Sequence, residues 1–111
     1  LEHPVAKKRI STRVEIDVAP SEEKTIDSLS FSSFQAAKYL ISISTLDRAQ
    51  VSSFEAMACK KSGDITDSIY SKLGDLLSFE TQFLKSGTDI EMRLTNGEAE
   101  TLRVSFLRFE F

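Results

Sequence analysis

The residues of this chain that could do chemistry are few and poorly spaced for it. A nucleophilic serine or cysteine needs a base beside it, and the only histidine, His3, stands next to Pro4 in a stretch without periodicity. Zinc needs several cysteine and histidine ligands, and the chain has one of each, Cys59 and His3. Asp64, Asp67 and Asp75 could offer oxygens to calcium, but they lack the regular spacing of a calcium loop. Gly63, Gly74, Gly87 and Gly97 are isolated and each fits a turn, so no glycine-rich loop cradles a phosphate. The 17 acidic residues allow many carboxylate pairs for glycoside hydrolysis and single out none. With no tryptophan and with tyrosine limited to Tyr39 and Tyr70, the aromatic platform for a sugar is thin. The residues therefore read as a protein that is not an enzyme, with no catalytic residue, no metal and no cofactor.

A chain of 111 residues fits one domain and can bury a real core without a metal or disulfide. Its 14 basic and 17 acidic residues, net charge -3, are scattered, which argues against a general nucleic-acid binder or a binder of anionic membranes. The longest apolar runs are only a few residues, so nothing spans a bilayer and no secretory segment is visible. Cys59 has no internal disulfide partner and reads as a small core residue rather than a reactive thiol. The chain starts with Leu1, which reads as a segment of a longer protein or one that has lost its start.

The elements that would position any site are strands. Residues 1–12 read as an N-terminal arm or linker, whose run Lys7-Lys8-Arg9 is either a contact to an acidic partner surface or a solvated connector. Residues 13–111 read as a single β-sandwich domain. Val14, Ile16 and Val18 alternate on one side of a strand that Pro20 stops. Residues 25–34 hold a short irregular or edge strand. The run Tyr39-Leu40-Ile41-Ser42-Ile43-Ser44 has the composition of a central strand, and residues 46–48 form a turn. From Gln50 to Lys60 good helix formers compete with alternation; strand is preferred, with Phe54, Ala56 and Ala58 on one face, because turn chemistry follows at Ser62-Gly63-Asp64. Residues 65–72 form a weaker strand, and Leu77, Phe79 and Phe83 point inward from the next. The sum is an all-β, antiparallel sandwich of about seven or eight short strands.

The C-terminal stretch reads as a hairpin. A three-residue loop Thr95-Asn96-Gly97 with a G1 bulge puts Ile90, Met92, Leu94, Leu102 and Val104 on one face and sets Asp89 opposite Arg103. Beyond it the apolar phase slips: Leu102, Val104 and Phe106 alternate in one phase, Leu107, Phe109 and Phe111 in the other. Either a bulge near Phe106-Leu107 re-aims the strand, or both of its faces are covered, one of them by a partner. Leu107, Phe109 and Phe111, with Lys7, Lys8 and Arg9, are the candidate partner interface.

The segment Ile26-Asp27-Ser28, followed by Ala36-Ala37-Lys38-Tyr39 and the alternating Leu40-Ile41-Ser42-Ile43, resembles the opening of a β-domain of virion proteins of tailed bacteriophages, especially cyanophages. Leu77-Ser78-Phe79-Glu80-Thr81 and Leu102-Arg103-Val104-Ser105-Phe106-Leu107-Arg108 are similar to that domain's later strands, so the resemblance covers about residues 25–110. Gln35 stands where that pattern commonly has arginine, and Cys59-Lys60-Lys61-Ser62-Gly63 where it tends to have His-Asp-Gly. The resemblance implies a structural module of the virion, in a tail, neck, fibre or capsid-surface protein, assembled in the host cytoplasm as a homo-oligomer or with other virion proteins. It brings no catalytic residues with it. The reading from another class is a carbohydrate-binding module in which loops 46–50 or 62–66 bind host glycans.

Overall fold

In a computed structural model, which describes residues 9–10 and 14–111, the chain is an all-β sandwich of two antiparallel sheets. Its strands are β1 (Arg9–Ile10), β2 (Val14–Val18), β3 (Glu23–Ser30), β4 (Ala36–Thr45), β5 (Val51–Lys61), β6 (Asp64–Gly74), β7 (Phe79–Ser86), β8 (Asp89–Asn96) and β9 (Leu102–Glu110). The larger sheet runs β1-β9-β4-β5-β6 and the smaller one β3-β8-β7. β2 and β1 lie end to end along one edge of β9, opposite residues 102–106 and 109–110 respectively. Arg9 and Ile10 of the expected arm are therefore strand residues, paired with Glu110 and Phe109.

Alternation decides which side chains enter the core. Phe54, Ala56 and Ala58 are buried, whereas Val51, Met57 and Cys59 are exposed. The helix formers of β5 are held extended by pairing on both sides, with β4 and β6. The small Ala56 faces the large Tyr39 across the register, which leaves room for the Tyr39 ring to meet Phe83 of the other sheet, centroids 5.6 Å apart, and Phe106, 5.7 Å. Phe54 stacks on Phe79 at 5.4 Å, again sheet to sheet. Full burial of each such side chain is worth about 1.5–3 kcal/mol, and these contacts hold the two layers together.

Two expectations are corrected. The chain does not end in a hairpin: β8 lies between β3 and β7, while β9 lies in the other sheet between β2 and β4. Ile90, Met92, Leu94, Leu102 and Val104 are all buried as expected, but they meet the common core from opposite layers. Asp89 faces Ser30 and Ser86, and Arg103 faces Asp17 and Ser44. Cys59 is not a core residue; it sits in the outward phase of β5 and is exposed.

Two β-bulges interrupt the alternation. In β3 an extra residue falls between Thr25, opposite Arg93, and Asp27, opposite Met92. Met92 is a buried, inward position, so Asp27 is turned inward next to the buried Ile26. In β6 two residues, Ser71 and Lys72, oppose the single inward residue Phe54 of β5. Ser71 takes a φ of 56°, a left-handed conformation that glycine adopts at less cost. Bulges of this kind re-aim a side chain, and here they deliver two charges, Asp27 and Lys72.

Candidate functional site

Three places on the molecule collect polar or unpartnered side chains. The first lies between the sheets. Arg108 Nη1 donates to both carboxylate oxygens of Asp27, at 3.0 and 2.8 Å, and the Tyr39 hydroxyl donates to Asp27 Oδ2 at 2.7 Å. Arg108 Nη2 stands 3.0 Å from Glu110 Oε2. Burial pushes the Tyr39 hydroxyl well above its ordinary pKa of 10.0, with the charge and hydrogen bond of Asp27 adding to the effect. For Arg108, desolvation pulls the pKa down, but the hydrogen bond and charge of Asp27 outweigh it and the guanidinium ends above its ordinary value. The cluster joins β3, β4 and β9; Asp27 is held by both Arg108 and Tyr39, while the buried Arg108 Nε has no hydrogen-bond partner among the described residues.

The second place is the outer face of the larger sheet. β9 pairs with β4 in unbroken register from Leu102 to Glu110, so no bulge explains the phase slip. The inward positions after Phe106 are taken by the charged Arg108 and Glu110, and the apolar alternation moves outward to Leu107 and Phe109, both half-buried. Leu107 faces Leu40, which is 39% exposed, and Lys38 lies between Phe109 and Met57, 37% exposed. Lys38 pairs with Glu55 at 3.0 Å. A shallow depression of about 360 Å³ lies against Leu40, Ser42, Ser53, Ser105 and Leu107. Towards the other end of β9 the same face is charged: Arg103 donates to both oxygens of Asp17, at 2.9 and 3.2 Å, and holds its carboxyl below the usual range.

Of the expected interface residues, the structure brings Leu107 and Phe109 onto this face. Phe111 follows the strand end, 52% exposed, its N–H donating to the Ala36 carbonyl. Arg9 is placed through its backbone pairing with Glu110. Lys7 and Lys8 lie outside the described residues. The loops 46–50 and 62–66 stand at opposite ends of β5 and do not form one surface.

The third place is the open side of the sandwich, where β6 and β7 are edge strands of different sheets. A groove of about 490 Å³ runs between them, lined by Ile69, Lys72, Phe79, Glu80, Thr81 and Gln82. The Lys72 ammonium stands 5.6 Å from the Phe79 ring centroid, and the buried Thr81 hydroxyl has no hydrogen-bond partner. No periodic signal in the sequence marks this site, because the β6 bulge interrupts the alternation between Ile69 and the exposed Lys72.

No family model matches the chain, and no curated protein matches it in sequence. Its fold is found in solved structures of phage tailspike proteins. One is the tailspike protein of Acinetobacter baumannii phage AM24, at TM-score 0.52 and 9% identity, over 95% of this chain and 26% of that one. Another is tailspike protein gp49 of Acinetobacter baumannii bacteriophage Fri1, a capsular polysaccharide depolymerase, at TM-score 0.52 and 10% identity, over 99% of this chain and 19% of that one. The chain thus spans about a quarter or a fifth of those proteins, and at these identities the likeness is one of fold. The expectation that the chain is not an enzyme is corrected on this finding: its fold occurs inside a depolymerase, so an empty search for catalytic motifs does not carry that conclusion.

Proposed function

We propose that this chain is a module of a phage tail, carried on the virion, that assembles with further copies of itself through the outer face of its larger sheet. The observation that carries the reading is the apolar outer patch of Leu40, Met57, Leu107 and Phe109 on a sandwich of the fold found in tailspike proteins. In a strand with one covered face, apolar residues change phase only where the burial changes side, and exposed apolar patches of this kind serve contacts between proteins. Closed assemblies of identical copies turn a weak patch into a stable contact by repetition.

Sedimentation of the chain tests this. The wild-type chain sediments as an oligomer, and the pair Leu107→Ser with Phe109→Ser gives a folded monomer. A monomeric wild type, or a variant of unchanged mass, overturns the assembly.

A second reading, recognition of a host polysaccharide, is favoured by one observation: the polar groove between β6 and β7.

A further inference from the structure

We propose that the two ends of the sandwich are complementary in charge and that copies of this chain join end to end, the lysine-bearing end of one receiving the acidic loops of the next. This contact is separate from the one through the outer sheet face. The connections between strands sort by end. Loops 31–35, 62–63 and 87–88 lie at one end, where Lys85 Nζ donates to the Gly63 carbonyl at 2.9 Å. Loops 19–22, 46–50, 75–78 and 97–101 lie at the other. The first three loops contain no charged residue, whereas the other four carry Glu22, Asp47, Asp75, Glu98 and Glu100 against the single base Arg48.

At the acidic end most of the carboxylates close turns. Glu22 accepts from the Ala19 N–H, Asp47 from the Ala49 N–H, Asp75 from the Val51 N–H and Glu98 from the Ser78 N–H. Such bonds leave the charge in place, and among the described residues none of the five acids stands in an ion pair; Arg48 is turned to Glu15, at 4.0 Å.

At the opposite end Lys60 and Lys85 hold their ammonium groups 4.4 and 4.1 Å from the centroid of one ring, that of Phe31. The ring attracts each of them, but two like charges gathered on it repel each other, and neither has a carboxylate partner among the described residues. The acids of this end are placed elsewhere: Asp64 faces Lys61 in the register, and Asp89 faces Ser30 and Ser86. An ammonium offers three donors, so a carboxylate set between Lys60 and Lys85 would accept from both and relieve their repulsion. Arg9 pairs with Glu110 at this same end, and Lys7 and Lys8 directly precede it in the sequence. A free anion could satisfy the lysines alone, but the acidic loops at the far end are the counterpart that a second copy brings. A contact in which one surface meets a different one on the next copy repeats along a line or closes into a ring, and repetition strengthens each weak step.

The test is sedimentation of the chain carrying Leu107→Ser and Phe109→Ser, in which the outer face no longer contributes. At about 0.15 M salt, where charges act over about 8 Å, it is a monomer; at about 0.01 M, where they act over about 30 Å, it associates. Lys60→Gln with Lys85→Gln removes the basic end. Asp47→Asn, Asp75→Asn, Glu98→Gln and Glu100→Gln together remove the acidic end while keeping an oxygen acceptor for each turn. Each set weakens the low-salt association about tenfold with unchanged thermal unfolding. Glu100→Lys, at an exposed position whose side chain closes no turn, weakens it as well and keeps the acidic end testable if the fourfold variant does not fold. Mixed together, the basic-end and acidic-end variants form a one-to-one pair that grows no further, because each retains the end that the other has lost. A monomer at low salt, low-salt association that the variants leave unchanged, or a mixture that stays monomeric overturns the proposal.

Discussion

Arg108 of β9 holds both carboxylate oxygens of Asp27 of β3 across the space between the two sheets, although the residues are 81 positions apart in the chain. The pair is largely shielded, with side-chain exposures of 19% and 14%, so its two members depend on each other. Removing one partner strands a charge, whereas replacing both by apolar groups of similar size does not. Arg108→Met alone is expected to cost about 2–3 kcal/mol. The double replacement Asp27→Leu with Arg108→Met is expected to cost less than the sum of the two single changes. Urea unfolding of the four proteins gives the coupling, and strict additivity would remove the clasp.

Tyr39 makes the same cluster sensitive to alkali. Its folded pKa is raised by burial and by Asp27, so the neutral hydroxyl is the form that the fold prefers. The resulting stability is present in full below the unfolded value near 10.0 and drains away as the pH climbs towards the folded value. Tyr39→Phe should therefore lose less stability between pH 9 and pH 11 than the wild type. While both stay folded, near-ultraviolet absorbance should show the same tyrosinate signal for the two proteins; a larger signal in the wild type would place Tyr39 in contact with water.

Turn chemistry offers a test of opposite signs. Ser62 and Gly63 form the two-residue loop between Lys61 and Asp64, and Ser62 has a φ of 54°. In such a loop the first position favours glycine, so Ser62→Gly should stabilise by about 0.5–1 kcal/mol. At Gly74 the reverse holds: φ is 93°, and an added Cβ would fall on the Val51 carbonyl oxygen. Gly74→Ala should destabilise by about 2–4 kcal/mol. Thermal melts of the two variants decide both, and a shift in the same direction for both would contradict the loop geometry.

Which side chains are buried is readable from alternation, strand by strand; which strands are neighbours is not. Ile90, Met92, Leu94, Leu102 and Val104 show the same pattern whether they share one sheet or face each other across a core. The Asn96-Gly97 dipeptide looks like a hairpin turn because a turn tied to a distant strand has the same local composition as one that joins neighbouring strands. Asn96 is buried, its amide donates to the Val18 and Glu100 carbonyls, and its Oδ1 accepts from the Glu98 N–H. A Cβ on Gly97 would come within 2.5 Å of Ser78 Oγ. The bond to Val18 and the approach to Ser78 are tertiary contacts, to β2 and to the start of β7, while the bonds to Glu98 and Glu100 close the loop itself. The segments that carry the virion resemblance contain Asp27, Tyr39 and Arg108, and the fold unites those three at one point. The edge groove is invisible in the sequence because a bulge has no signature in composition.

β9 is the strand that pairs with β1, β2 and β4 together, so during synthesis β1 and β2 wait for their partner for most of the chain's passage through the ribosome. β3 likewise waits for β8. Contacts of such long sequence separation make folding slow, and until β9 emerges the backbone edge of β4 that it pairs with remains open to other chains. Chaperone dependence and losses during expression should therefore follow changes in β9 more than changes in any loop, and truncations within β9 should leave an aggregating chain.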